Sequence, residues 1–305
     1  MRIFITGATG YIGSAVVSTL QRAGHEVVAL TRSAERAAAL QAAGVRAVVG
    51  DLRHADRLRE ELLGHDAYIH LAQNEESDRA DVDRAAIRAL LDGAHGERPD
   101  AEGPAVVVYT SGVFVLGDTR GQPVDESTPV DHPAEVVRWR PAHERLVLDA
   151  ADAAVTTAVI RPGMVYGGAG GLVAAMFASA VDEGAATYVG DGMNRWSLVH
   201  RDDLAALYRL VVERRLGGIF HAVDEKPIPV RDLARRASAA AGRGGATRSI
   251  PLEEARRTMG AAADALCNDQ VVIAPRSRAA GWAAVHPPFT EGAGEAYEEW
   301  VAARK

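Results

Sequence analysis

The run Ile3-Phe4-Ile5 passes through Thr6 directly into Gly7, Gly10 and Gly13, spaced G-x-x-G-x-x-G. A short apolar run of this kind reads as a buried strand. Residues 14–23 are amphipathic and stop at Gly24, a helix C-cap signal. No other stretch constrains the fold so tightly, because a strand, a glycine turn and a helix in that order give each glycine its own task. Gly7 permits the sharp turn, Gly10 lets a pyrophosphate approach the backbone, and Gly13 lets the helix pack close to the strand. The N–H groups of the first helical turn, at Tyr11, Ile12 and Gly13, would hold that pyrophosphate with the helix dipole behind them. The stretch predicts a dinucleotide-binding unit.

The chain beyond it alternates. Strands are expected at 26–30, 45–49, 67–71, 105–110 and 155–161, with helices at 34–43, 55–63, 79–95 and 134–152 and a loop at 97–104. That alternation argues for a doubly wound parallel (Rossmann) α/β sheet with a smaller α/β C-terminal lobe. The expected division is 1–165 for the dinucleotide part and 166–305 for the lobe, some segments of which return to the sheet. The second strand ends on Thr31-Arg32-Ser33. An acid at this place would bond the two adenosine ribose hydroxyls of NAD; none is present. The planar donor fork of Arg32, flanked by two hydroxyls and followed by Arg36, suits the 2′-phosphate of NADP instead. NADP(H) is therefore expected over NAD(H).

Composition narrows the partners. The net charge is -7 and no basic block stands out, which argues against nucleic acid. Cys267 is the one cysteine, so neither an internal disulfide nor a cysteine-based metal cluster is expected, and no metal site is read from the sequence. No apolar run approaches membrane-spanning length, and the chain opens on a strand of the fold; a cytoplasmic protein without membrane contact is expected.

The ordered set TGATGYIG (residues 6–13), GDL (50–52), HLA (70–72), VVVYTSGVFVLGD (106–118), IRPGMVYG (160–167) and WSLVHRDDLA (196–205) resembles the extended short-chain dehydrogenase/reductase family, the NAD(P)-dependent epimerase/dehydratase group. The resemblance covers nearly the whole chain. It implies that Asp51 and Leu52 contact the adenine, that Ala72 lines the cofactor groove with its backbone, and that Pro162 and Val165 flank the nicotinamide. It assigns Asp191-Gly192 and 195–203 to a substrate-binding lobe. It also implies a homodimer through the helices at 79–95 and 134–152. Plainer readings stand beside these: Asp51 as a helix cap, Pro162 as a strand end.

The family's catalytic core is a Ser or Thr after the fifth strand and a Tyr-x-x-x-Lys pair on the next helix. This chain lacks the pair. No tyrosine lies between Tyr109 and Tyr166, and the only lysines are Lys226 and Lys305. The tyrosine position falls near Val136 and the lysine position on Arg140; the usual hydroxyl position falls on Gly112. Ser111 is the first candidate to replace the missing donor, with Thr110, His143 or a held water behind it. Arg140 would hold the nicotinamide ribose. The plainer readings are a Ser111 bonded to nearby backbone, an Arg140 paired with Glu144, and a partly exposed His143.

The expected function is an NADP(H)-dependent enzyme of this group. It would act on a small carbonyl- or hydroxyl-bearing metabolite by reduction, epimerisation or dehydration, with atypical catalytic residues. Two alternatives stay open: a non-redox isomerisation, elimination or cyclisation on the same fold, and a catalytically silent NADP(H)-sensing protein.

Overall fold

The computed structural model describes residues 1–73, 76–98 and 102–304. The expected loop at 97–104 lies partly outside the described residues. Two compact units divide the chain. The first comprises Met1–Ser111, Trp139–Ile160 and Ala205–Phe220; the second comprises Gly112–Arg138, Arg161–Leu204 and His221–Lys305. The units are thus interleaved rather than parted at residue 165. Segments returning to the sheet are expected from the sequence; the departure at Gly112 is not. Its cause lies in the second unit, where Gln270 donates its side-chain N–H to the carbonyls of Val113 and Gly117, both at 2.8 Å. There too Pro123–Val124 pairs with Val271–Val272.

The first unit is built on β1 (Arg2–Thr6), β2 (Glu26–Thr31), β3 (Arg46–Val49), β4 (Ala67–His70) and β5 (Ala105–Thr110). With Val155–Pro162 and Gly218–Ala222 they form a seven-stranded sheet, ordered Gly218–Ala222, Val155–Pro162, β5, β4, β1, β2, β3. Pairing from Val155–Pro162 across to β3 is parallel, and β1 lies between β2 and β4. Phe4, Val28, Tyr68, Val107 and Val159 are buried from water with Ile87 and Leu90 packed on them. That apolar burial, at roughly 25 cal/mol per Å², is the main favourable term holding the layers together. Parallel strands end along one edge, so Thr6 stands beside His70, and His70 beside Tyr109. That edge carries the site.

The helices are α1 (Tyr11–Arg22), α2 (Ala34–Ala42), α3 (Arg79–Ala94), α4 (Arg140–Leu148), α5 (Gly171–Glu183) and α6 (Arg201–Glu213), followed by further helices toward the C-terminus. Two expectations fail. The helix expected at 55–63 is a 3-10 segment, Leu52–Leu58, broken where His54 takes φ -123° and ψ 46°. The helix expected at 134–152 is a 3-10 turn, Glu135–Val137, followed by the separate α4. Pro141 explains the break. It is tolerated in a first helical turn, but its ring would clash with the carbonyl of Val137 in a continuous helix. Val136 and Arg140 therefore do not share a helical face.

In the second unit, Met164–Tyr166 pairs with Leu198–His200, and Ala186–Val189 pairs with Thr247–Ile250. The helices α5, Val230–Ala240 and Phe289–Ala302 pack on one another. Phe177, Phe289 and Trp300 meet there at ring distances of 5.8–6.1 Å. Among the described residues no helix is long and apolar enough to cross a membrane.

Candidate functional site

A groove of about 510 Å³ lies along the C-terminal edge of the sheet in the first unit. It gathers Gly7, Gly10, Tyr11, Ile12 and Gly13 from the elbow, Arg32 and Arg36 from the end of β2 and the start of α2, Asp51 and Leu52 after β3, and Ala72 after β4. The three glycines divide their tasks by geometry. Gly7 takes φ +76°, and a Cβ there would sit 2.5 Å from the Leu71 backbone. A Cβ on Gly13 would overlap the Gly7 carbonyl, so this glycine is required by packing. A Cβ on Gly10 would meet only the Gly7 oxygen, at 3.2 Å, and otherwise open space. Gly10 therefore leaves room on the ligand side.

The elbow fits an anionic ligand. Gly10 is the N-cap of α1 and has no side-chain cap, and no acid lies in the first turn. The first N–H closed onto Gly10 within the helix is that of Ser14, at 3.0 Å. Those ahead of it have no intrahelical carbonyl to meet. At the β2 end, Arg32 and Arg36 line the groove, and Glu35 between them does not. Ser33 does not join them in the lining: it caps α2, its hydroxyl accepting the Arg36 N–H at 3.2 Å. Asp51 both lines the groove and caps the following segment, accepting the Arg53 N–H at 2.9 Å. Arg53, which sequence reading did not single out, is clamped by Glu76 at 2.7 Å and Asp78 at 3.1 Å.

Behind the groove lies a polar network of which sequence reading singled out only His143. Thr6, His70 and Asp83 line the groove, and each is less than a tenth exposed. Ala72 donates its N–H to the Thr6 hydroxyl at 3.3 Å, and Thr6 meets His70 Nδ1 at 2.6 Å. His70 Nε2 lies 3.2 Å from Asp83 Oδ1. Asp83 Oδ2 receives the Tyr109 hydroxyl at 3.0 Å and lies 2.7 Å from His143 Nδ1. Burial alone would raise the Asp83 pKa; the bonds from His143 and then His70 outweigh it and hold the carboxyl well below the usual carboxylate range. Tyr109 is pushed the other way, above the usual phenol range, chiefly by burial and further by Asp83.

Ser111, Arg140 and His143 all fall in the first unit and all are buried. Arg140 donates from Nη1 to the Thr110 carbonyl at 2.7 Å and to the Tyr109 oxygen at 3.3 Å. Its guanidinium lies 4.7 Å from the Trp139 ring centroid. These contacts hold it against β5. The Ser111 hydroxyl is buried with no hydrogen-bond partner, so the reading that it only bonds backbone fails. His143 is 1% exposed, not partly exposed, because α4 turns it inward onto Asp83 of α3. Its Nε2 has no partner, and neither has Nε1 of Trp139, whose ring meets His143 at 4.8 Å. A second phenol, Tyr208 of α6, bonds the Thr110 hydroxyl at 2.6 Å, and burial raises its pKa above the usual range.

Pro162 and Val165 belong to the second unit. Pro162 ends its strand, and Val165 pairs with Val199. Arg195, assigned by resemblance to a substrate lobe, is held by Asp269 at 2.9 and 2.7 Å. His200, Asp202 and His286 bring ligand-type atoms within 4.8 Å of one another. Both nitrogens of His200 are already used, Nε2 on Glu299 and Nδ1 by the Asp202 N–H, and His286 Nδ1 is held by Asp203. The cluster reads as paired histidines rather than a metal centre.

Residues 3–222 match the model of the NAD dependent epimerase/dehydratase family. An uncharacterized protein of Saccharomyces cerevisiae is 35% identical over 245 residues, covering 77% of this chain and 78% of its own. The 4-hydroxy-2-methyl-3-oxo-4-farnesyl-3,4-dihydroquinoline-1-oxide ketoreductase of Stigmatella aurantiaca is 30% identical over 269 residues, covering 84% of this chain and 78% of its own. In fold, the chain resembles a human epimerase family protein solved with NADPH, with a TM-score of 0.78 and 22% identity over 98% of this chain and 99% of that one.

Proposed function

The chain belongs to the NAD dependent epimerase/dehydratase family, and on that premise we propose that it is an NADPH-dependent reductase of a small carbonyl-bearing metabolite. The observation that carries the cofactor assignment is the β2 end of the groove, where Arg32 and Arg36 both line the wall and Glu35 between them does not. Two guanidinium forks there suit a 2′-phosphate and give nothing to bond a bare ribose diol. The open side of Gly10 and the N-terminus of α1 would take the pyrophosphate, with Tyr11, Ile12 and Gly13 supplying N–H groups. Asp51 and Leu52 would meet the adenine, and Ala72 the groove floor. The bound dinucleotide supplies hydride; the chain supplies binding, orientation and a proton. Arg140 would hold the ribose and Ser111 would donate a hydrogen bond to the carbonyl oxygen. The ketoreductase relative supports the reductive direction.

The test is a pair of titrations with NADPH and NADH. Wild-type protein is expected to bind NADPH at least tenfold more tightly. Arg32→Asp should cost NADPH roughly 1.5–3 kcal/mol, the range of a lost charge-assisted bond, and bring the two affinities together or reverse them. Equal wild-type affinities would remove the NADP assignment. Tight NADPH binding without turnover of any ketone or quinone favours a second reading, a dinucleotide-sensing protein, which the missing Tyr-x-x-x-Lys pair supports.

A further inference from the structure

Two buried histidines share the carboxylate of Asp83, and they are not equivalent. An ionised carboxylate only accepts hydrogen bonds, so each neighbour must donate to it. His70 therefore carries its proton on Nε2, and its Nδ1 accepts from the Thr6 hydroxyl at 2.6 Å. Both of its nitrogens are satisfied, which makes it a closed link. His143 carries its proton on Nδ1, 2.7 Å from Asp83 Oδ2, and its Nε2 is buried with no partner. Buried polar atoms are rarely left unpaired, and one held open by a carboxylate on the far side of the ring asks for a functional account.

We infer that Asp83 is the positioning residue of a carboxylate–imidazole pair in which His143, through Nε2, is the proton-transfer group that replaces the missing tyrosine. The inference rests on the reductase reading above and deepens it. In reduction, the carbonyl carbon gains hydride from the bound dinucleotide, and the carbonyl oxygen takes the proton from Nε2–H of the His143 imidazolium. One N–H bond breaks and one O–H bond forms. His143 is left neutral and takes its next proton from a water admitted as the product leaves, while Asp83 stays ionised throughout. The two nearby phenols serve this role less well, because burial makes both Tyr109 and Tyr208 weaker acids than usual. The charged and titratable groups around His143 are Asp83 on α3, Tyr109 on β5, His70 on β4 beyond the carboxylate, and Arg140 and Glu144 on its own helix. Asp83 alone among them is bonded directly to the ring.

The test uses the full chain labelled with 15N-histidine, with His143→Gln assigning the resonance. Wild-type His143 is expected as the Nδ1–H tautomer. In Asp83→Asn that tautomer should lose its hold, because the amide can donate to the ring as well as accept from it. NADPH-driven reduction of phenanthrenequinone should show the alkaline limb of its pH profile moving to lower pH, with KM for the quinone little changed. His143→Gln should lose most of kcat while NADPH affinity stays within twofold. An Nε2–H tautomer in the wild type overturns the inference. So does an Asp83→Asn variant slowed equally at every pH with the His143 tautomer unchanged, which would make Asp83 a structural brace. If Asp83→Asn does not fold, the wild-type tautomer and the His143→Gln rate still decide. Wild-type turnover in His143→Gln removes this inference alone; a wild-type protein that binds NADPH but reduces no ketone or quinone removes the reductase reading and the inference together.

Discussion

The groove and the network behind it lie along one edge of one sheet, yet they are encoded in opposite ways. The groove is made by backbone: glycines without side chains, a helix N-terminus, and two arginines a turn apart. The network is made by side chains brought from β1, β4, α3, β5 and α4 onto a single carboxylate. The first is specified by residues close in sequence and tolerates little change in shape. The second is specified by residues far apart and tolerates little change in charge or protonation. A binding surface and a proton-handling centre can thus share a wall while depending on different physical terms.

The glycines offer the strongest break of that comparison. Gly13→Ala places a Cβ into the Gly7 carbonyl, where neither backbone can yield. Loss of about 4 kcal/mol or more is expected, at the level where overpacking unfolds a domain. Gly10→Ala meets only one oxygen at 3.2 Å and should leave stability within about 1 kcal/mol of wild type. Its methyl occupies the ligand side instead, so NADPH affinity should fall tenfold or more, about 1.4 kcal/mol. Thermal melts with and without NADPH separate the two effects. A Gly10→Ala variant that binds normally would mean the pyrophosphate does not approach this turn.

The same contrast decides what the sequence reveals. β1, β2, β4 and β5 are readable to within a residue or so because each is a short apolar run bounded by turn residues. The elbow is readable because all its parts lie between Thr6 and Gly13. The break at Pro141 is hidden by apolar periodicity on both sides of it, although the proline itself is the signal. The two-residue strands Arg195–Trp196 and Ile228–Pro229 are too short to carry any period. Asp83 resembles any polar residue on a long helix, and nothing local marks it as buried. His70, ending an otherwise apolar strand inside the HLA motif, and His143, on the helix that should carry the missing pair, are the members with a visible signal.

Asp83→Ala probes the network's charge and should come next in size. It leaves His70, Tyr109 and His143 as buried donors without their acceptor. About 3 kcal/mol of stability is expected to go, as when one partner of a buried charged cluster is removed. The pH dependence has a definite sign. Asp83 titrates below its unfolded value, so its contribution is present above about pH 4 and fades as pH falls below that. The gap between wild type and variant in urea unfolding should therefore be full at neutral pH and narrow only in acid. NADPH binding should weaken less than stability does, because the elbow and the Arg32 end are untouched. An Asp83→Ala variant as stable as wild type would mean the carboxylate is not ionised in the folded protein.

A third buried histidine sharpens the comparison from the other side. His65 precedes β4, away from the edge that carries the groove, and is fully buried against Phe4 at 5.3 Å and Tyr68 at 5.6 Å. Neither of its ring nitrogens has a hydrogen-bond partner. Without a carboxylate, burial pushes its pKa down to about 4, with Arg2 adding to the effect. A base whose folded pKa lies below its unfolded value, about 6.5, gives up stability as pH falls between the two. The protein should be at full strength above about pH 6.5 on this account and lose about 2 kcal/mol by pH 5, the loss levelling off near pH 4. His65→Phe keeps a flat ring in the same apolar contacts and cannot take up a proton. It should remove that part of the acid limb while leaving NADPH affinity and the His143 tautomer where they are. Urea unfolding at pH 7 and pH 5 for both proteins measures the difference. Equal slopes would mean that His65 opens to water before it charges, and that burial alone does not set a histidine apart here from one braced, like His143, by a carboxylate.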